Sequence, residues 1–324
     1  MISFFGDVYL DQQYDLDFDF EDYVFNLEYP LSKKGKPAEN KVNLGQDKSY
    51  IYETFGKYPL AVCLANNHIM DFGDFGYQKT IEFLEKNKIK YFGAGNELNN
   101  FNNPCILDTK DGMIALLGYA CETTNSIFGN KLHNGTAKLD LELIIEDIKN
   151  VKEKVDKVIL NLHWGDEEIQ YPKPSDVAIA RALIDNGADL IIGHHAHVIQ
   201  SSEIYRDKHI FYGLGNFIFP DLNETSFFKN GVSEGNYIKK QNRLNRTSLE
   251  VIIEREIIKT RTFRLKNNRI FLLNFRIPAW IPKKMKAYNV YYAFWLRYRM
   301  LELYLNKPRI PSMRQIRLFL GIGK

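Results

Sequence analysis

At 324 residues the chain can hold one large α/β domain or two smaller ones, either with a substantial core. Forty-three basic and forty acidic residues nearly cancel to a net charge of +3, which points to no particular partner. Three cysteines, Cys63, Cys105 and Cys121, are an odd number with no C-x-x-C spacing and imply neither a disulfide framework nor a zinc knuckle. Asp7 follows too soon after the first apolar residues for a secretory signal. With no run of eighteen apolar residues, the expected location is the cytoplasm.

Residues 1–5 form a short apolar run ending at Gly6-Asp7. This predicts a buried first strand with a carboxylate at its carboxyl end, although Asp7 also suits a turn or helix N-cap. Residues 15–20 alternate acid and apolar, which predicts a half-exposed segment. Residues 23–27 read as a second strand, ending in Glu28. Residues 29–58 are rich in Lys, Gly, Pro and Asn and read as a surface excursion. Residues 60–65 read as a buried strand in which Cys63 is a small hydrophobe, and Asn66, Asn67, His68 and Asp71 follow it directly.

Tyr77, Ile81 and Leu84 predict a helix over 76–87. The Gly-x-Gly after Tyr91 and Phe92 lacks the third glycine of a dinucleotide fingerprint and reads as a strand and turn. Residues 113–119 read as a strand, and His133 in the following loop has no assigned role. Leu141, Ile144, Ile145, Ile148 and Val151 mark a helix within 139–155. A strand over 158–162 leads to His163, with Glu167 close behind. A helix over 175–186 precedes the strand 190–192, which runs into Gly193-His194-His195-Ala196-His197. Residues 210–212 form another strand, and 248–253, 259–265 and 269–273 read as an antiparallel meander.

Strand ends thus deliver Asp7, Glu28, Asn67 with His68, His163, and His195 with His197. Two adjacent divalent cations need such imidazoles and carboxylates. A lone histidine is more often a packed core residue than a ligand; five convergent strand ends reverse that weighting.

The residues sit in long, ordered motifs: Gly6-Asp7, Asn26-Leu27-Glu28, Leu64-Ala-Asn-Asn-His-Ile-Met-Asp-Phe-Gly73 and His163-Trp-Gly-Asp-Glu167. They continue in Gly187-Ala-Asp-Leu-Ile-Ile-Gly-His-His-Ala-His-Val198 and Tyr212-Gly-Leu-Gly-Asn-Phe217. Over about residues 1–275 the sequence resembles the CapA-type capsule and poly-gamma-glutamate synthesis proteins, within the calcineurin-like metallophosphoesterase superfamily. The resemblance implies an α/β fold, a calcineurin-like four-layer αββα sandwich with two packed sheets. It also implies two divalent metal ions (Mn, Fe or Zn), with Asp7 and His197 on one, Asn67, His163 and His195 on the other, and Glu28 bridging. His68 matches a residue that stabilises the leaving group or phosphate, and Asp71 and Glu167 join it as catalytic candidates. Asn26, Asn66 and His194 fall behind the ligands or on the substrate side.

Three positions depart from the pattern. Tyr9 stands where the wider superfamily often has a ligand histidine, Glu168 where the family usually has tyrosine, and Gly213 where it usually has serine.

The implied activity is hydrolysis of a phosphate ester by a metal-bridging hydroxide, on a phosphorylated small molecule or polymer, in capsule, exopolysaccharide or poly-gamma-glutamate biosynthesis. The alternative is a non-catalytic or weakly catalytic accessory protein of a synthase or export assembly. No nucleic-acid recognition motif is present.

Residues 276–324 lie outside the resemblance and read as a basic, aromatic, helical extension. From Ile277 to Lys324, ten Lys and Arg face the single Glu302, and residues 288–305 are dense in Tyr, Phe, Trp and Leu. Two readings stand. The extension packs on the sandwich, or it is an interfacial anchor at the inner face of the membrane or on a membrane-bound synthase. In the second reading Lys283, Lys284, Lys286, Arg297, Arg299, Arg314 and Arg317 meet anionic lipid.

Overall fold

The computed structural model describes residues 1–229, 232–274 and 285–306. In chain order the principal strands are β1 (Ile2–Val8), β2 (Asp22–Leu27), β3 (Ala61–Cys63), β4 (Lys90–Phe92), β5 (Gly112–Ala120), β6 (Lys157–His163) and β7 (Leu190–His194). They continue with β8 (Lys208–Phe211), β9 (Asn216–Ile218), β10 (Thr247–Glu254), β11 (Ile257–Lys266) and β12 (Arg269–Leu273). The longer helices are α1 (Gly73–Lys86), α2 (Leu141–Lys152), α3 (Pro174–Asp185) and α4 (Met285–Asn306).

One sheet has nine strands: the short strand Asp15–Leu16 at one edge, then β12, β11, β10, β1, β2, β3 and β4, with β9 also pairing β1. From β1 to β4 the pairing is parallel, while β10, β11 and β12 form the expected antiparallel meander. The second sheet has six strands. Its centre, β8, β7, β6, β5, is parallel, and Ser202–Tyr205 and Cys105–Thr109 close its edges in antiparallel fashion.

The central strands are apolar on both faces because each sheet is covered on both sides. Ile2, Phe4 and Val24 from the first sheet meet Leu116, Ile159 and Ile192 from the second, which makes the middle layer of the core. On the outer face of the first sheet, Phe5, Phe25 and Val62 pack against Tyr77, Ile81 and Leu84 of α1. On the outer face of the second, Leu160 and Ile191 pack against Ile144 and Ile148 of α2 and Val177 and Leu183 of α3. The architecture is therefore the expected four-layer αββα sandwich. Helix starts follow local chemistry: the Asp140 side chain accepts from the amides of Glu142 and Leu143, and Pro174 opens α3.

Two segments differ from the sequence expectation. Residues 29–58 are not a plain surface excursion, since Tyr29, Leu31, Leu44, Ile51 and Phe55 are buried and a short helix, Ile51–Phe55, packs into the outer core. Their polar residues gave the segment a surface composition while its few apolar ones bury. The other is a two-stranded hairpin, Leu222–Lys229 with Val232–Lys239, which the sequence reading did not anticipate and which pairs with neither main sheet. The boundary expected at 275 and 276 lies outside the described residues. Among the described residues no helix is long and apolar enough to cross a membrane.

Within the second sheet the backbone packs closely where the strands end. A Cβ at Gly193 would lie 1.8 Å from the Tyr212 carbonyl oxygen and 2.7 Å from Trp164 Nε1. Since the obstruction is backbone, Gly193→Ala is expected to destabilise the protein by about 3 kcal/mol through overpacking. Urea unfolding monitored by circular dichroism measures this; a variant within experimental error of wild type would show that this contact is looser than described.

Candidate metal centre

The carboxyl ends of β1, β2 and β3 in one sheet and of β6 and β7 in the other converge, and each contributes side chains to one buried cluster. Asp7, near the end of β1, is fully buried. Its Oδ1 accepts from Asn26 Nδ2 at 2.9 Å and from His194 Nδ1 at 3.0 Å, and its Oδ2 accepts from the His195 amide at 3.2 Å. Asn26 is fixed in turn by Asn66, whose Nδ2 donates to Asn26 Oδ1 at 2.9 Å and to the Leu27 carbonyl at 2.8 Å. The Asn66 Oδ1 accepts from the amides of His68 and Ile69. Asn26, Asn66 and His194 therefore hold Asp7 and the turn after β3 in place.

Asp7, Glu28 and His197 each offer a ligand atom, and all three atoms lie within 4.8 Å of one another. His163 Nε2 is 2.9 Å from Asn67 Oδ1 and 3.7 Å from Glu28 Oε1, and the His163 and His195 rings lie 4.7 Å apart. Glu28 thus stands between an Asp7/His197 side and an Asn67/His163/His195 side. His197 Nδ1 faces Asn216 Oδ1 at 2.8 Å, and its Nε2 is 3.9 Å from Glu28 Oε1.

His195 and His197 have φ of +82° and +56°, a region that costs L-residues energy and needs external support. Asp7 supplies it at the His195 amide, and Asn245 Nδ2 supplies it at the His197 carbonyl, 3.2 Å away.

The electrostatics fit a cation. Burial pushes Glu28 well above the usual carboxylate range, and the charges of Asp7 and Glu167 add to the shift. Burial lowers His163 well below the ordinary imidazole value, and the neighbouring histidines reinforce it. His195 is pushed down to about 4, again chiefly by burial. Burial would raise Asp7, but His194, His197 and Asn26 hold it low. Neutral imidazoles keep a lone pair for a metal, and a cation offsets the cost of ionising buried carboxylates. Both Glu28 oxygens, His163 Nδ1 and His195 Nδ1 are buried without a hydrogen-bond partner. Such atoms are rare unless something else satisfies them, and N and O donors of this kind suit Mn, Fe or Zn.

His68 Nδ1 lies 2.5 Å from Asp71 Oδ2, which also accepts from the Leu44 amide at 2.7 Å. Asp71 Oδ1 pairs with Lys41 Nζ at 2.6 Å, and Lys41 also donates to the Asn67 carbonyl. Glu167 stands apart from the buried set, half exposed at the mouth, with Lys239 Nζ 3.6 Å from its Oε2. Desolvation would raise Glu167, but Lys239 and then His197, His195 and His68 bring it down to about 2. Lys239 also lies 3.2 Å from Glu168, whose other oxygen takes Arg299 of α4. A cleft of about 270 Å³ opens here, lined by Lys41, His68, Asn125, Glu167, His197 and Lys239 among others.

The structure brings together all of the sequence candidates, with Glu167 alone at the mouth. Sequence reasoning missed Lys41, Lys239, Asn161 and Asn216. A polar signal existed for Asn161, an asparagine inside an apolar strand, whose Oδ1 faces His194 Nε2 at 3.4 Å. Asn216 lay within a quoted motif without a role. Lys41 and Lys239 carry no local signal: one comes from the segment read as surface, the other from the unanticipated hairpin.

The family model described as "Bacterial capsule synthesis protein PGA_cap" matches residues 2–221, and the chain belongs to this family. The "Capsule biosynthesis protein CapA" of Bacillus anthracis is 31% identical over 207 residues, covering 61% of this chain and 50% of that protein. The "PGA biosynthesis protein CapA" of Bacillus subtilis (strain 168) is 33% identical over 202 residues, covering 61% and 53%. A "Probable polyglutamine synthesis accessory protein" of Mycobacterium tuberculosis is 28% identical over 207 residues, covering 60% and 54%. The matched stretch spans about half the length of each relative.

Lys41 is buried beside a fully buried Asp71. Lys41→Met is expected to cost about 3 kcal/mol, because removing one partner leaves a buried charge uncompensated. Lys41→Met/Asp71→Asn should recover part of the loss. Equilibrium unfolding of wild type, Lys41→Met, Asp71→Asn and the double variant measures the coupling; a zero coupling energy would show that the pair is independent.

Proposed function

We propose that the protein is a dinuclear-metal-dependent phosphoesterase acting in capsule, exopolysaccharide or poly-gamma-glutamate biosynthesis. The observation that carries this reading is the buried donor set Asp7, Glu28, Asn67, His163, His195 and His197, with its unpartnered Glu28, His163 and His195 atoms. Asp7 and His197 would hold one cation, Asn67, His163 and His195 the other, and Glu28 would bridge. When bound, the cations supply Lewis-acid activation of water and of a phosphoryl oxygen.

The chain's own groups do the rest. Asp71 orients the His68 ring through Nδ1, and in its imidazolium form the ring would pass the Nε2 proton to a leaving oxygen. Lys41 fixes Asp71 and the Asn67 backbone at once, so the ligand and the proton donor share one support. Lys239, on the cleft wall, is already balanced by Glu167 and Glu168, so the anionic part of a substrate would be met by the cations.

A second reading, binding without hydrolysis, is favoured by Tyr9. At the position where the wider superfamily often places a ligand histidine, its hydroxyl donates to the Gly45 carbonyl at 3.4 Å and accepts from Gln46 Nε2 at 2.8 Å.

Manganese-dependent hydrolysis of aryl phosphate mono- and diesters, with bound metal measured in parallel, separates the two. Asn67→Ala and His195→Ala are each expected to lower kcat/KM at least about 100-fold and metal affinity about 10- to 100-fold. Metal binding without turnover in the wild type would establish the accessory reading; hydrolysis untouched by both substitutions would remove the site assignment.

A further inference from the structure

We infer that the outward face of α4 is a docking surface for an anionic lipid bilayer. On α4, Val290, Phe294, Tyr298, Leu301 and Leu305 recur at intervals of four, four, three and four. At 100° per residue this is one stripe about 80° wide. Its members are exposed at 73, 61, 51, 48 and 68%. The opposite side attaches the helix to the domain. Tyr288 Oη donates to the Pro172 carbonyl at 2.7 Å, Tyr291 Oη meets Tyr171 Oη at 3.0 Å, Tyr292 donates to Asp166, and Arg299 pairs with Glu168. The helix therefore has two apolar faces, and among the described residues only one is covered. Scattered exposed residues such as Leu98 and Leu132 need no explanation, whereas five aligned on one helix mark an interaction surface.

Charge selects the occupant. Exposed Lys286 and Arg297 flank the stripe on one side. Lys283 and Lys284 precede α4 in sequence, and Lys307, Arg309, Arg314 and Arg317 follow it. The only acid from Ile277 to Lys324 is Glu302, and Arg299 already pairs with it at 2.6 Å. A second copy of the chain would bring two such cationic segments against each other. An anionic bilayer instead takes the apolar stripe into its interface and neutralises the flanking cations. The helix lies in the surface plane, since it is not apolar enough to cross. The inner face of α4 grips Asp166 and Glu168, which belong to the loop at the mouth of the cleft, so a bilayer beneath α4 fixes how that mouth is presented. None of this depends on hydrolysis.

The full chain is sedimented with vesicles of phosphatidylcholine alone and of phosphatidylcholine with about one-third phosphatidylglycerol. Wild type is expected to partition at least tenfold more strongly onto the anionic vesicles, and less so as salt rises. Phe294→Glu/Leu301→Glu and, separately, Lys286→Glu/Arg297→Glu are each expected to remove most of that binding with unchanged circular dichroism and solution mass. If the first variant fails to fold, the charge-reversal pair carries the test. The inference is overturned if wild type shows no preference for anionic vesicles, if the folded variants bind like wild type, or if wild type is a dimer that Phe294→Glu/Leu301→Glu dissociates.

Discussion

Asp7 is the point at which the two sheets are tied together at their carboxyl edges. It has no exposure to solvent and takes hydrogen bonds from Asn26 in its own sheet and from His194 and the His195 amide in the other. A buried carboxylate is costly unless donors surround it, so this residue demands the neighbours it has. Those neighbours are the residues that set the direction of the turn after β7. The left-handed backbone at His195 and His197 persists because Asp7 and Asn245 hold it from both sides, and the two imidazoles project into the cluster as a result.

Glu28 has the opposite situation. It is as buried as Asp7, yet neither oxygen has a hydrogen-bond partner, and its surroundings favour the protonated form. Two acids close together, one saturated with donors and one starved of them, make a division of labour. Asp7 holds the architecture as well as offering a ligand atom, and the lone pairs of Glu28 are those that a cation would satisfy. A bound cation would then stabilise the folded chain as well as equip it chemically, because the same burial that penalises Glu28 alone rewards the charged pair.

Much of this was legible in the sequence because each buried candidate ligand lies at a strand end or within a few residues of one. An apolar run that stops at Asp7, Glu28, Asn67, His163 or His195 announces both the strand and what it delivers. Helices α1, α2 and α3 were legible for a related reason: their apolar spacing is local. What escaped reaches the cluster from far away in sequence. Lys41 sits in a segment whose Lys, Asn and Pro content resembles surface, and only the tertiary pairing of the Asn40 amide with the Phe228 carbonyl and of Lys41 with Asp71 brings it inside. Lys239 comes from a hairpin outside both sheets, where no core face imposes a readable alternation. Arg299, expected among lipid-facing cations, turns instead to Glu168 and Glu302; composition shows a charge but not which side of a helix carries it. Lys283, Lys284, Arg314 and Arg317 lie outside the described residues.

Glu168 draws these late-arriving parts together. Its carboxylate joins Lys239 of the hairpin to Arg299 of α4. A tyrosine offers one neutral oxygen and cannot balance two cations. Without the acid, Lys239 and Arg299 would repel each other at the rim of the cleft, and the charge on Lys239 would fall on Glu167 alone. Glu168 and the basic helix are therefore complementary features of this chain: the helix supplies the cation that turns inward, and Glu168 the anion that receives it. The cleft mouth is thus held by an ion-pair relay that runs from Glu167 through Lys239 and Glu168 to α4, and its shape depends on that helix remaining docked.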